Sequence, residues 1–171
     1  MGLKQNSKKM EFKISQLNEI NNGLHLLRNN DEFKRKLGDS VYEFIYIAKQ
    51  NTDELERALE TPHAEIAKLA ESLAGKDKDG KPEYTTTRLP NGQTYREPKV
   101  LEQNYDAAHT GIEKINNRKI NINLQKFELA HVKLMLLYLT SLQQDLFLNN
   151  LVNELVPAKK QVEQPEHTTA N

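Results

Sequence analysis

Residues 33–74 read FKRKLGDSVYEFIYIAKQNTDELERALETPHAEIAKLAESLA, and the fold turns on them. The apolar positions Phe33, Leu37, Val41, Phe44, Ala48, Leu55, Leu59, Ile66, Leu69 and Leu73 keep to one face at helical spacing, with charged residues elsewhere. Unbroken, such a helix spans roughly 60 Å at 1.5 Å per residue, and a rod of that length normally needs a partner along it, from this chain or another. Pro62 has no amide to donate and crowds the preceding turn, while Thr61-Pro62-His63-Ala64-Glu65 supplies a cap, Pro at the first helical position and an early acid. A kink or a restart is therefore expected at Thr61.

On the N-terminal side, Met10, Phe12 and Ile14 alternate with Glu11 and Lys13, the period of a short half-buried strand, and Ser15 offers an N-cap. Leu17, Ile20, Leu24 and Leu27 then form a helical stripe, and Asn29-Asn30-Asp31 reads as a turn and the next cap. On the C-terminal side, Gly75 to Lys81 is a charged loop. Tyr84 to Leu89 and Gln93 to Arg96 flank Pro90-Asn91-Gly92, with Pro at the first central position of a type I turn and Gly at the left-handed position after it. An isolated ribbon is marginal in water, so this hairpin has to pack on helices, meet a partner or stay mobile.

Lys99 to Asn116 returns to helical spacing through Leu101, Tyr105, Ala108, Ile112 and Ile115. Arg118 to Phe127 alternates, with Ile120, Ile122 and Leu124 on one side. This strand needs a neighbour, and Met10 to Ile14 is the nearest available. The last helix is expected from about Ala130 to Val156, stopped by Pro157. Its segment Leu134 to Leu139 is apolar all round, which calls for burial among helices or in a subunit interface. Lys133, Gln143, Gln144, Asp145 and Glu154 interrupt the run too often for a membrane span.

The expected fold class is thus α+β and mainly helical: a long kinked helix, a buried C-terminal helix, one β-hairpin and a short two-stranded element. A flexible basic tail over 1–9, a single domain over 10–156 with its hairpin at 83–96, and a disordered tail over 157–171 complete the organisation.

Composition narrows the chemistry. The 171 residues carry 24 Lys plus Arg against 24 Asp plus Glu, so no global field draws the chain to nucleic acid or anionic lipid. With no Cys there is no disulfide, no thiolate nucleophile and no Cys-ligated metal, as suits a reducing cytoplasm. Only 37% of residues are apolar and 28% are charged, which predicts a thin core, an elongated shape or burial against a partner chain. The basic start, Met1 to Lys9, has no apolar run behind it and reads as neither a secretory signal nor, with Asn6 where Ser or Thr is needed, a myristoylation site.

Asp77-Lys78-Asp79-Gly80 resembles the middle of a calcium loop, but at EF-hand spacing the first and twelfth ligand positions fall on Gly75 and Thr86, so a charged turn is the better reading. His25, His63, His109, His131 and His167 never pair at metal-ligand spacing, no Gly-x-Ser-x-Gly elbow exposes a serine, and no glycine-rich phosphate loop occurs. No catalytic, cofactor-binding or metal-binding residue is assigned, and an enzyme is not expected. Lys114, Arg118, Lys119 and Lys126 cluster around the later strand, and Tyr84, Tyr95 and Arg96 sit on the hairpin, an arrangement that grips single strands. The acidic run Asp53, Glu54, Glu56, Glu60 and Glu65 argues instead for a mixed-charge solvated surface.

With Gly75-Lys76-Asp77-Lys78-Asp79-Gly80-Lys81-Pro82 after a long helix, and Lys119 to Leu129 alternating before an acidic-apolar step, the chain resembles a group of small tailed-bacteriophage and prophage proteins of unestablished function. The resemblance covers about Met10 to Leu129. It implies a phage origin and brings no catalytic residues with it.

The expected function is therefore that of a non-enzymatic phage structural or assembly protein working by protein–protein contact, as an oligomer or inside a particle, in the bacterial cytoplasm or the virion. The alternative is a phage inhibitor or modulator of a host enzyme or defence system, and after it a nucleic-acid-binding accessory. Leu136, Leu139, Leu142, Leu146 and Phe147 are the candidate contact stripe, although core packing explains each of them at least as well, and Asn91 and Tyr95 are the candidates on the hairpin. The expected partners are this chain itself, other phage proteins or a host protein, and no membrane.

Overall fold

The computed structural model describes residues 9–90 and 92–153. The expected tails, the end of the last helix at Val156 and the stop at Pro157 lie outside them. Strand β1 (Met10–Lys13) leads into α1 (Ile14–Arg28) and α2 (Asp31–Leu37), a single 3-10 turn follows over Gly38–Ser40, and α3 runs over Val41–Leu73. After α3 come the hairpin β2 (Tyr84–Arg88) and β3 (Thr94–Pro98), then α4 (Tyr105–Asn116), β4 (Lys119–Ile122), α5 (Leu129–Met135) and α6 (Ser141–Asn150). The protein is α+β and mainly helical, with two antiparallel two-stranded sheets among the described residues, β1–β4 and β2–β3.

The expected partnership of the first and fourth strands is present, Met10 opposite Ile122 through Lys13 opposite Lys119. Phe12, Ile122 and Leu124 turn inward, and Leu17, Ile20, Leu24 and Leu27 of α1 are fully buried. Helix α1 starts at Ile14 rather than after Ser15, because Gln16 Oε1 accepts the Lys13 amide at 2.9 Å and closes the first turn one residue earlier. Asn30 caps α2 as its sequence suggests, its side chain accepting the Phe33 amide at 2.9 Å.

The long helical run breaks in a different place from the one expected. No restart occurs at Thr61: α3 passes through it with Pro62 inside and buried. The break lies at Gly38, whose φ of +56° and ψ of −130° fall where a side chain is strained. Proline forfeits one hydrogen bond and can bend a helix that packing holds together, whereas Gly38 takes the chain out of helical space altogether.

The C-terminal helix also differs from expectation. Instead of one run there are α5 and α6, joined by a 3-10 turn (Leu136–Tyr138) and an extended Leu139. Thr140 and Gln143 cap each other reciprocally at 3.2 and 3.4 Å. The Gln144 side-chain amide donates to the Leu136 and Leu139 carbonyls at 2.9 and 3.0 Å, so the preceding helix end keeps no orphan acceptor there. Helix α4 begins at Tyr105 rather than Lys99, because Val100 bridges Ala74 and the Leu101 amide bonds the Leu73 carbonyl, holding that segment extended.

The core gathers at the first half of α3. Phe33 meets Phe44 edge-on at 4.9 Å between centroids, Phe44 meets Phe127 at 5.7 Å, and Tyr138 closes on Phe33 at 5.6 Å. Gly23 lets α1 approach α6 closely, since a β-carbon there would stand 3.0 Å from the Phe147 ring. One polar device sits in this core. Buried Asn51 on α3 accepts the Gln125 amide at 2.7 Å and donates to the Gln125 carbonyl at 2.9 Å, giving the chain after β4 the backbone partners that a missing third strand would have supplied.

Candidate functional site

Beyond Pro62 the molecule thins to an arm: the rest of α3, with α4 along it and the β2–β3 ribbon returning beside it from Gly75. In this half of α3 no residue is fully buried, and Ala108 is the one buried residue of α4. Gly111 brings the two helices together, since a β-carbon on it would stand 2.4 Å from a Leu69 methyl.

The ribbon is fastened at its base by backbone bonds. Gly75 donates to the Lys99 carbonyl at 3.0 Å and accepts the Glu83 amide at 2.8 Å, while Lys99 donates to Glu83 at 2.8 Å. Asn104 adds a side-chain bond to the Leu73 carbonyl at 2.9 Å, which satisfies one of the acceptors left at the end of α3. The Asp77-Asp79-Gly80 turn is closed from within: Asp77 Oδ1 accepts the Asp79 and Lys81 amides at 2.9 and 2.8 Å, and Gly80 takes φ of +75°. That carboxylate oxygen thus serves the turn itself. At the tip, the Gly92 amide bonds the Leu89 carbonyl at 2.9 Å with φ of +84°, as Pro90-Asn91-Gly92 predicts. The strands reach Pro98, two residues past the expected end.

Every residue of β2 is exposed, and so is all of β3 except Pro98. On one face Arg96 lies over the Tyr84 ring, 4.8 Å from its centroid, and the Tyr84 hydroxyl donates to Glu71 Oε1 at 2.6 Å. That bond to the Glu71 carboxylate holds the Tyr84 phenol above its usual pKa. Tyr95 is on the other face, 56% exposed. A groove of about 440 Å³ separates β3 from α3, lined by Ile66, Ala67 and Ala70 on the helix side and Tyr95 and Pro98 on the other.

The five leucine and phenylalanine candidates of the last helix do not form one surface stripe. Leu139, Leu146 and Phe147 belong to the core and Leu136 is half-buried against it, while Leu142 is 56% exposed. The break at Leu139 and Thr140 turns the two helices differently, which moves exposure to Leu137, Leu142 and Leu148. Asn91 lies outside the described residues. The basic cluster is half neutralised: Arg118 forks onto Glu65 at 2.6 and 3.3 Å and Lys119 meets Glu11 at 2.7 Å. Lys114 is exposed and Lys126 half-buried.

No protein-family model, no curated protein and no solved structure matches this chain.

Two features escaped the sequence reading. Tyr42 and Tyr46, four residues apart and flanking the buried Phe44, stand out from the start of α3, Tyr42 81% exposed. Their i, i+4 spacing off the Phe44–Ala48 stripe was the signal that could have found them. The second is a cleft of about 560 Å³ between α1 and α3, where Asp53, Glu56, Glu60, Arg57 and His63 meet Asn21. His25 reaches Glu56 at 3.1 Å and His63 reaches Asn18 at 2.9 Å across it, fastening the helices at their surface. The carboxylates held below their usual pKa are in helix ion pairs in solvent: Lys34 lowers Asp31, Lys36 lowers Glu32 and, at the cleft's rim, Lys49 lowers Asp53. Among the described residues no three His, Asp or Glu side chains gather to hold a metal ion, and no helix is long and apolar enough to cross a membrane.

Proposed function

We propose that this chain is a non-enzymatic phage structural or assembly protein that works by protein–protein contact, with the β2–β3 ribbon as its docking element. One observation carries the reading: a two-stranded ribbon whose β2 is exposed throughout turns back beside the last turns of a helix thirty-three residues long, bonded to the rest of the fold near its base, with β3 toward the helix and β2 outermost. Ordering such a ribbon costs conformational entropy that its own burial does not repay, so its return comes from what it meets. The exposed Tyr42 and Tyr46, and Leu137 with Leu142, add apolar surface for neighbours or further copies of this chain. The phage setting rests on the resemblance carried by Gly75 to Pro82 and Lys119 to Leu129, and it places the protein in the host cytoplasm or the virion.

The test is capture of the tagged full-length chain from phage-producing cells, with quantitative mass spectrometry of what accompanies it. Stoichiometric recovery with particle or assembly proteins is expected, lost when residues 84–98 are replaced by a short linker. Recovery of a single host enzyme instead would make the chain an inhibitor. Absence from particles and from every assembly intermediate would overturn the structural reading.

A further inference from the structure

The two long edges of the ribbon are not equivalent. Bonds between the strands close at Leu89 with Gln93 and at Glu83 with Lys99, so odd-numbered residues face inward along the ladder. The backbone groups of Tyr84, Thr86 and Arg88 therefore point out from β2, and those of Thr94, Arg96 and Pro98 point out from β3. The β3 edge is blunted: Pro98 has no amide, its carbonyl takes the Val100 amide at 3.0 Å, and α3 lies beside it. Among the described residues nothing comparable guards β2. It reads Tyr-Thr-Thr-Thr-Arg, strand-favouring throughout, with no proline, lysine or bulge among the residues whose bonds are free.

The ribbon's own charge beside that edge is positive, and the carboxylate described near it, Glu71, is taken by the Tyr84 hydroxyl. Tyr84, Thr86 and Arg88 share a face with their partners Pro98, Arg96 and Thr94, which places two arginines there. Among the described residues neither has a carboxylate partner, and Arg96 rests on the Tyr84 ring. A second copy pairing edge to edge about Thr86 would set its own Arg88 opposite Tyr84, adding a third cation where Arg96 already lies. An incoming strand with carboxylates on that face would instead pair with both arginines.

We infer that the free edge of β2 binds an extended segment of another protein that carries acidic side chains at alternate positions. The inference rests on the reading of the ribbon as a docking element and names what it docks.

The test titrates the isotope-labelled full-length chain with a synthetic peptide alternating Glu and Val, and with a matched peptide alternating Gln and Val, followed by amide NMR. The Tyr84, Thr86 and Arg88 amides are expected to shift and those of Thr85 and Thr87 to move less. Thr86→Pro removes the central outward donor and no inward one, so the ribbon should keep its Thr85 and Thr87 protection while affinity falls about tenfold or more. Arg88→Gln with Arg96→Gln should erase the preference for the Glu peptide. Equal binding of both peptides, or binding untouched by Thr86→Pro, overturns the inference. So does a wild-type dimer that Thr86→Pro dissolves, which would make a second copy the occupant, or an oligothymidylate that displaces the Glu peptide from the same amides. If replacing residues 84–98 abolishes particle association while Thr86→Pro does not, the ribbon still docks and the β2 edge is not how.

Discussion

Helix α3 is one element in two environments. Before Pro62 it buries Phe44, Ala48, Asn51, Thr52, Leu55 and Leu59 under α1, α2 and the segment after β4; after Pro62 the same amphipathic spacing at Ile66, Leu69 and Leu73 meets, among the described residues, α4, the ribbon and the segment joining them, and stays half-buried. Periodicity says which face of a helix is apolar and not how much protein lies over it. The first half is therefore where stability resides, and the second is a rigid mount whose surface is left for something else.

The largest effect should come from emptying the first half. Phe44→Ala removes a ring held by Phe33 and Phe127 and should cost about 3–5 kcal/mol in denaturant unfolding, because two rings that cannot follow it leave a cavity. Asn51→Ala should follow at roughly 1–2 kcal/mol, since the part-buried amide and carbonyl of Gln125 lose their partners. A loss for Phe44→Ala no larger than that of a surface change would mean that the two halves are not distinct, and the comparison would fail.

Two glycines sharpen it at smaller scale. Gly23→Ala sets a methyl 3.0 Å from the Phe147 ring and 3.1 Å from a Leu139 methyl, both packed in the core, and should destabilise by about 1–2 kcal/mol. Gly111→Ala makes the nearer clash, 2.4 Å, but with the free end of half-buried Leu69. There the methyl can swing aside, and the gain in helix propensity of about 1 kcal/mol should bring the net change near zero. Thermal unfolding of the pair separates a core that cannot yield from an arm that can.

The same contrast explains what the sequence made legible. Local signals were accurate: the Leu17–Leu27 stripe, the Asn30 cap, the Pro90-Asn91-Gly92 turn and the pairing of Met10–Lys13 with Lys119–Ile122 all depend on neighbours or on a single missing partner. Reading went astray where two local signals compete and packing decides. Pro62 marked the expected break because proline loses a helical hydrogen bond, yet the packed helix absorbs that loss, whereas φ of +56° at Gly38, a residue the expectation did not weigh, ends a helix. Thr140 and Gln143 form a Thr-x-x-Gln capping box inside an apolar run, and the run masked it. Of the candidate site, Tyr95 was legible as an exposed hairpin aromatic. Leu139, Leu146 and Phe147 were not separable from surface residues, because that depends on the helix break.

The smallest effect tests the arm alone. Tyr84 donates its phenolic proton to Glu71, and this bond ties the ribbon to the end of α3. Because its folded pKa is raised above the ordinary 10.0, whatever the contact contributes is fully present below that pH and is lost as pH rises through the higher folded value. Tyrosinate absorbance should accordingly show a step above the ordinary 10.0, and Tyr84→Phe should remove that step while leaving the unfolding midpoint nearly unchanged. A midpoint that fell with Tyr84→Phe as it does with Gly23→Ala would join the ribbon to the cooperative core. An unchanged midpoint leaves the ribbon a mounted surface whose own bonds do not decide whether the protein folds.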